Sequence, residues 1–339
     1  MKPKSPKSLN PKIKLLWPST SQLQYLLVPD WVEQAVRKQF PELEVVIARD
    51  PETVSREIED CEILVSWTLR PEQFARCRKL KWIHSPAAGV TSILPPGLAE
   101  SDVTVTNSTS VHAVPVAEHT IALLFALSRR LLASFRHQAE RRWEQGEGWE
   151  AEHILTEING KTLGLVGLGA IGREVAARAR ALGMQVAALK RDPTRGGELA
   201  DRVYAPPQLH ALLAETDFLV LAAPDTPENI GLMGEAEFQA MKPTAYLINI
   251  ARGTLVDTDA LMRALESGQL AGAALDVTDP EPLPPEHPLW QLPNVLITAH
   301  LGSATERFWK RSTDLLAENL RRYLAGEPFL NPVDKGKGY

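Results

Sequence analysis

The sequence predicts an α/β protein of two domains, each built on a parallel sheet covered by helices. Three observations carry this expectation. The chain has 339 residues, enough for two domains at roughly 100–200 residues each. Short apolar runs alternate with helix-like stretches, and strands separated by helices pair in parallel. A glycine-rich turn joins an apolar strand to an amphipathic helix in the middle of the chain. Hydrophobic residues make up 44% and charged residues 23%, which excludes a disordered chain, a fibre or a small disulfide scaffold.

The elements follow in order. Residues 13–17, 43–48, 62–67, 82–85 and 103–106 read as strands. Residues 31–40, 51–60 and 71–80 read as helices between them, and Pro51 and Pro71 suit a first helical turn. A long apolar helix at 115–132 comes next, interrupted by Glu118, His119 and Arg129, so it does not read as a membrane span. The polar stretch 141–152 holds Trp143, Trp149 and several Glu. Its change of composition marks a boundary or an arm. In the second half, strands are expected at 163–167, 185–189, 218–222, 245–250, 272–276 and 295–297. Helices are expected at 171–182, 206–213, 235–241, 259–267 and 305–324.

Charge and cysteine count narrow the function. Net charge is −5, which does not favour nucleic acid as a partner. The first fourteen residues carry five Lys and no acid, so the other 325 sum to −10. No apolar run follows that basic stretch, so it reads as a solvated tail and not a secretory signal. The two cysteines, Cys61 and Cys77, fit a reducing compartment, hence a cytoplasmic protein. No zinc-spaced Cys/His cluster and no G-x-S-x-G elbow is present.

Residues 162–172 read TLGLVGLGAIG and contain Gly167-x-Gly169-x-x-Gly172. Gly167 permits the tight turn, Gly169 admits a pyrophosphate close to the backbone, and Gly172 lets helix and strand pack. The helix behind it supplies free N–H groups and a favourable dipole, at Ala170 and Ile171 first. A carboxylate about 20 residues on would take the ribose 2′-hydroxyl of NAD. Here the strand runs into Lys190 and Arg191, with Asp192 after them. Cations there attract a 2′-phosphate, so NADP(H) is expected in preference to NAD(H). The competing reading turns Asp192 inward to serve NAD.

Three segments lie just past the ends of expected strands, where open α/β sheets bind ligands. LINIARGTLV at 247–256 offers Arg252. LDVTDPEPL at 275–283 offers Asp276 and Glu281. TAHLGSAT at 298–305 offers His300. Reduction of a 2-keto acid puts negative charge on the carbonyl oxygen. A protonated His can donate to it, a Glu on the other ring nitrogen steadies the imidazolium, and an Arg grips the carboxylate in a two-toothed fashion.

Together these segments, with APDTPEN at 223–229 and MKPTAYLINIARGTLVD at 241–257, resemble the D-2-hydroxyacid dehydrogenase family, from about residue 61 to 331. The resemblance implies two Rossmann-like domains, a flavodoxin-like substrate domain and an NAD(P)-binding Rossmann domain with a doubly wound parallel sheet. It implies a substrate domain at 12–110, a nucleotide domain at 111–302 and a helix at 303–335 returning to the first. It implies Arg252 as substrate clamp, His300 as acid/base and Glu281 as its partner. Pro224, Thr226, Ala251 and Asp276 join the cofactor residues. SPAAGV at 85–90 offers backbone N–H groups at Ala88 and Gly89 to the substrate carboxylate, and His112 stands where glyoxylate/hydroxypyruvate-reductase-like members often have a substrate-facing histidine. A homodimer through the nucleotide domain, no nucleic acid and no membrane are expected.

The expected substrate is a small 2-keto acid, glyoxylate or hydroxypyruvate first. Phosphoglycerate- or lactate-type activity and a dinucleotide-sensing corepressor or scaffold are the alternatives. Formate-type members carry an amide in place of the acid, so Glu281 argues against that activity. Two departures stand out: Lys190 at the cofactor-selecting acidic position, and Thr91 where many members have Asp.

Overall fold

A computed structural model describes residues 12–146, 155–194 and 196–339. The basic tail before Lys12, and Trp149, lie outside the described residues. The chain divides into two compact units. One comprises the residues through Val111 together with Glu306–Tyr339, and the other His112–Thr305.

The first unit holds strands β1 (Ile13–Pro18), β2 (Leu43–Ala48), β3 (Ile63–Val65), β4 (Trp82–His84) and β5 (Thr104–Thr106). They form one sheet in the order β2-β1-β3-β4-β5, and every pairing is parallel. Helices α1 (Asp30–Gln39), α2 (Pro51–Glu57) and α3 (Pro71–Phe74) connect them. Side chains alternate between the two faces of a strand, and the sheet uses both. Leu15, Trp17, Ile63 and Val65 pack with Val32 and Val36 of α1. Leu16, Leu64 and Ile83 face the other way, onto Val54 of α2 and Ile58 at its C-cap.

Beyond the first unit's β-strands the chain forms α4 (Thr109–Ser128) and α5 (Leu131–Ala139). The second unit then runs β6 (Thr162–Val166), α6 (Ala170–Ala181), β7 (Gln185–Leu189), β8 (Arg202–Tyr204), α7 (Leu209–Glu215) and β9 (Phe218–Leu221). It continues with α8 (Glu235–Ala240), β10 (Tyr246–Asn249), α9 (Thr258–Glu266), β11 (Gly272–Leu275) and β12 (Val295–Ile297). These strands make a parallel seven-stranded sheet in the order β12-β11-β10-β9-β6-β7-β8. Strand order reverses between β6 and β9, which is where such sheets open a ligand crevice. The last helix, α10 (Phe308–Ala325), returns to the first unit. Its Leu316, Ala317 and Leu320 are buried with Leu15 and Trp17, and Trp82 packs against Tyr323 and Phe329 at ring-centroid separations of 5.6 and 4.7 Å.

Several expected elements shift. The helix expected to open at Pro115 starts at Thr109 and carries Pro115 inside it; the missing N–H is absorbed in a helix held by burial. It ends at Ser128, and Arg130 takes φ +51° before α5 begins. By length and composition α4 could cross a membrane, but 56% of its apolar window is buried, with Val116, Ala117, Leu123 and Leu124 in the second unit's core. The expected helix at 71–80 shortens to Pro71–Phe74. Strand β8 was not expected. It is a three-residue edge strand with no fully buried side chain, too short and too polar for its pattern to show. Lys14, counted with the basic tail, belongs to β1 and pairs with Glu57 at 2.9 Å and Asp60 at 2.8 Å.

Candidate active site

The glycine-rich turn follows β6, on the side of the crevice at β6/β9. Gly167 has φ +104°, and a Cβ there would lie 2.7 Å from the Ala222 carbonyl oxygen. A Cβ on Gly172 would lie 2.1 Å from the Gly167 carbonyl oxygen. Both positions therefore require glycine, the first for its conformation as well. Nothing approaches within 4 Å of a Cβ on Gly169, so that side of the turn is open. Gly169 is the N-cap of α6 and no side chain caps the helix. An open backbone face, Ala170 and Ile171 in the first turn and an uncapped twelve-residue helix suit a dinucleotide pyrophosphate.

At the end of β7, Lys190 is half-buried and Arg191 and Asp192 are exposed. The Asp192 carboxylate accepts from the Thr194 backbone N–H at 3.0 Å and its hydroxyl at 2.5 Å. Those bonds, the hydroxyl's first, hold its carboxyl below the usual range. Asp192 thus caps its own turn. A cation missed in the sequence joins Lys190: a Cβ on Gly196 would lie 3.3 Å from Arg173 Nη1 and 3.4 Å from Lys190 Nζ. Arg173 stands directly after Gly172, so its place on the first turn of the helix was the available signal.

After β9, Asn229 Nδ2 donates to the Pro224 carbonyl at 2.8 Å and the Asn229 N–H to that of Thr226 at 2.8 Å. Thr226 is buried. Asp225 accepts from the Thr254 hydroxyl at 2.8 Å. The loop is thereby tied to the one after β10. There, Asn249 accepts from the Ala251 N–H at 3.0 Å and donates to the Arg252 carbonyl at 2.8 Å. This polar residue inside an apolar strand shapes the turn that presents Arg252, which is half-buried. A Cβ on Gly253 would lie 2.0 Å from the Thr278 carbonyl carbon, so this loop presses against the one that carries Glu281.

Arg252, Asp276 and His300 follow β10, β11 and β12, three neighbouring strands. His300 Nδ1 and Glu281 Oε1 are 2.6 Å apart, with both side chains nearly half exposed. The bond at Nδ1 leaves Nε2 for a substrate. His300 adopts φ +52°, a left-handed conformation that costs a side-chain-bearing residue roughly 1–2 kcal/mol. Asp276 holds that turn. It accepts from the Thr298 hydroxyl at 2.6 Å, the Leu301 N–H at 2.9 Å and the Gly302 N–H at 2.9 Å. Burial alone would raise its carboxyl, but His119, Thr298 and these N–H groups outweigh burial and hold it at about 2. The sequence resemblance assigns Asp276 to the cofactor; the contacts in the structure are those that organise the His300 turn.

The first unit carries the SPAAGV loop after β4. The Ala88 carbonyl accepts from Asn107 Nδ2 at 3.0 Å and the Ala87 carbonyl from the Ser108 N–H at 2.9 Å. Beneath it, buried His84 meets the Thr106 hydroxyl at 2.8 Å and that of Ser108 at 3.3 Å. With its carbonyls taken, the loop's N–H groups at Ala88 and Gly89 donate to nothing among the described residues. That is the arrangement an anion needs. His112, near the start of α4, is buried. Among the described residues no cluster of His, Cys, Asp and Glu could hold a metal ion.

A parallel sheet with its glycine turn at the strand-order reversal, and a His–Glu pair and an Arg at neighbouring strand ends, define a nucleotide-dependent dehydrogenase. Residues 121–302 match the family "D-isomer specific 2-hydroxyacid dehydrogenase, NAD binding domain". Glyoxylate reductase of Korarchaeum cryptofilum is 36% identical over 277 residues, covering 80% of this chain and 82% of the relative. D-3-phosphoglycerate dehydrogenase of a Synechocystis species is 38% identical over 257 residues, 76% of this chain and 45% of that protein. The structure resembles the NADPH-dependent glyoxylate/hydroxypyruvate reductase of Sinorhizobium meliloti, solved with NADP and sulfate. The TM-score is 0.80 at 28% identity, over 97% of this chain and all of that one. The chain belongs to the D-isomer specific 2-hydroxyacid dehydrogenase family. It is an oxidoreductase of 2-hydroxy acids that uses a nicotinamide dinucleotide.

Proposed function

We propose that the protein reduces a small 2-keto acid, glyoxylate or hydroxypyruvate, with NADPH preferred to NADH. The His300–Glu281 hydrogen bond at 2.6 Å is the observation that carries the chemistry. NADPH, when bound, supplies the hydride. Arg252 grips the substrate carboxylate and polarises its carbonyl. His300 delivers a proton from Nε2 to the oxygen as charge develops there, and Glu281 stabilises the imidazolium and fixes its orientation. Gly167, Gly169, Gly172, Ala170 and Ile171 take the pyrophosphate, with Pro224, Thr226, Ala251 and Asp276 along the remainder of the dinucleotide. In the first unit, the Ala88 and Gly89 N–H groups suit a carboxylate, and His112 is assigned to the substrate.

The preference for NADPH rests on Lys190 and Arg191, on Arg173 beside Lys190, and on Asp192 being engaged by Thr194. A homodimer through the second unit is proposed from its exposed apolar side chains. Phe135 is 61% and Trp143 92% exposed, and a cavity of about 360 Å³ lined by Leu127, Leu132, Tyr246 and Leu296 lies in the same unit. The free thiols of Cys61 and Cys77 fit a cytoplasmic location. A panel of 2-keto acids, each assayed with NADPH and NADH, tests the reading. Turnover of glyoxylate or hydroxypyruvate is expected, faster at low NADPH than at equal NADH. Nucleotide binding with no acid reduced would favour a dinucleotide-sensing scaffold.

A further inference from the structure

We propose that His119, on α4, is a positioning residue for the reaction, acting on His300 through Thr298 and Asp276. The inference rests on the assignment of His300 as the proton donor. His119 Nε2 lies 3.0 Å from the Thr298 hydroxyl oxygen and 3.3 Å from Asp276 Oδ1. The hydroxyl has one proton, and the 2.6 Å bond to Asp276 Oδ1 uses it. Its oxygen therefore accepts from His119, and Nε2 carries the proton. The chain of donors runs His119 to Thr298 to Asp276.

Asp276 is the template on which the His300 turn is laid. The His300 N–H donates to the Asp276 carbonyl at 2.8 Å. The next two N–H groups, of Leu301 and Gly302, go to its two carboxylate oxygens. The backbone at and after His300 thus hangs on one residue, through its carbonyl and its carboxylate, and that residue is 3% exposed. A left-handed residue persists only where its surroundings over-determine it, and here the orientation of that carboxylate does so. Thr298 belongs to the same turn and cannot fix the carboxylate against an outside frame. His119 can, because it stands on a twenty-residue helix. The ring also packs on the turn: a Cβ on Gly302 would lie 3.3 Å from His119 Cδ2 and 2.9 Å from Asp276 Oδ2.

Three variants test this. His119→Leu removes the donor at similar volume. His119→Gln keeps an N–H donor near the position of Nε2. Thr298→Val removes the middle link from the other side and serves if the leucine variant does not fold. With glyoxylate and NADPH, His119→Leu and Thr298→Val are each expected to lower kcat by about 10- to 100-fold, the cost of a small misplacement. KM for glyoxylate stays within about threefold, since the change falls on the proton donor and not on the residues that grip the substrate carboxylate. His119→Gln recovers most of kcat, and the double variant is no worse than either single one, as expected of groups acting in one chain. Equal impairment of the Gln and Leu variants, or wild-type kcat in both Leu and Val variants, overturns the proposal. If the wild-type enzyme reduces no keto acid, the function reading fails on its own. Crystal structures of the variants still decide the link: residues 298–302 keep their path with Gln and leave it with Leu or Val, and an unmoved turn refutes it.

Discussion

His300 sits at the surface end of its strand, bonded to Glu281 and nearly half exposed, so truncating it leaves the apolar cores intact. His300→Ala should lower kcat by about 10²- to 10⁴-fold, the usual worth of a positioned acid. NADPH affinity, measured by fluorescence quenching, should change little. An unaltered rate would remove the proposed acid. The proposed cofactor preference rests nearby on charge. Lys190→Asp places a carboxylate where a 2′-phosphate would sit, and should shift the ratio of NADPH to NADH affinity toward NADH by at least about tenfold, one opposed charge pair at partial exposure. Parallel titrations with both nucleotides read that ratio directly. These residues were legible in the sequence because each follows an apolar strand within a short, distinctive segment. His119 was not, because a histidine inside an apolar helix carries no local sign of its partner.

The element beneath the SPAAGV loop has its own chemistry. Burial pushes the His84 imidazole down from 6.5 to about 3, since no group around it compensates a charge. The unfolded chain therefore binds a proton between those values and the folded one does not. Stability is complete above about pH 6.5 and falls as pH is lowered toward 3. Between pH 7 and pH 5 the loss from this residue should be about 2 kcal/mol, read by urea unfolding at each pH. His84→Leu should flatten that slope whatever its absolute stability, and an unchanged slope would place the titration elsewhere. The sequence identifies the strand that holds His84 but not its burial, which arises because β4 lies between β3 and β5. Helix boundaries were the weaker part. Pro115 reads as a helix start by local rule, yet tertiary burial of Val116, Ala117, Leu123 and Leu124 carries the helix through it.

For the molecule as a whole, the exposed Phe135 and Trp143 of the second unit lead to the proposed dimer. Phe135→Lys should shift sedimentation toward the monomer while leaving the monomer's helix content unchanged; an unaltered sedimentation coefficient would exclude Phe135 from the interface. The two-unit division interrupts the first unit's sequence and closes it with α10, whose Leu316, Ala317 and Leu320 complete the apolar layer over Leu15 and Trp17. The amino-acid sequence by itself determined the alternation of strands and helices, the glycine turn and the order of Arg252, Glu281 and His300. Those signals are local, set by side-chain periodicity and by conformations only certain residues adopt. The tertiary structure alone decided which groups share protons. His119 and Thr298 meet across 179 positions, and Asn107 meets Asn331 across 224. Such partners are chosen by how strands stack in a sheet and which helices cover it, and a hydrogen bond between distant residues leaves no mark on the sequence around either one.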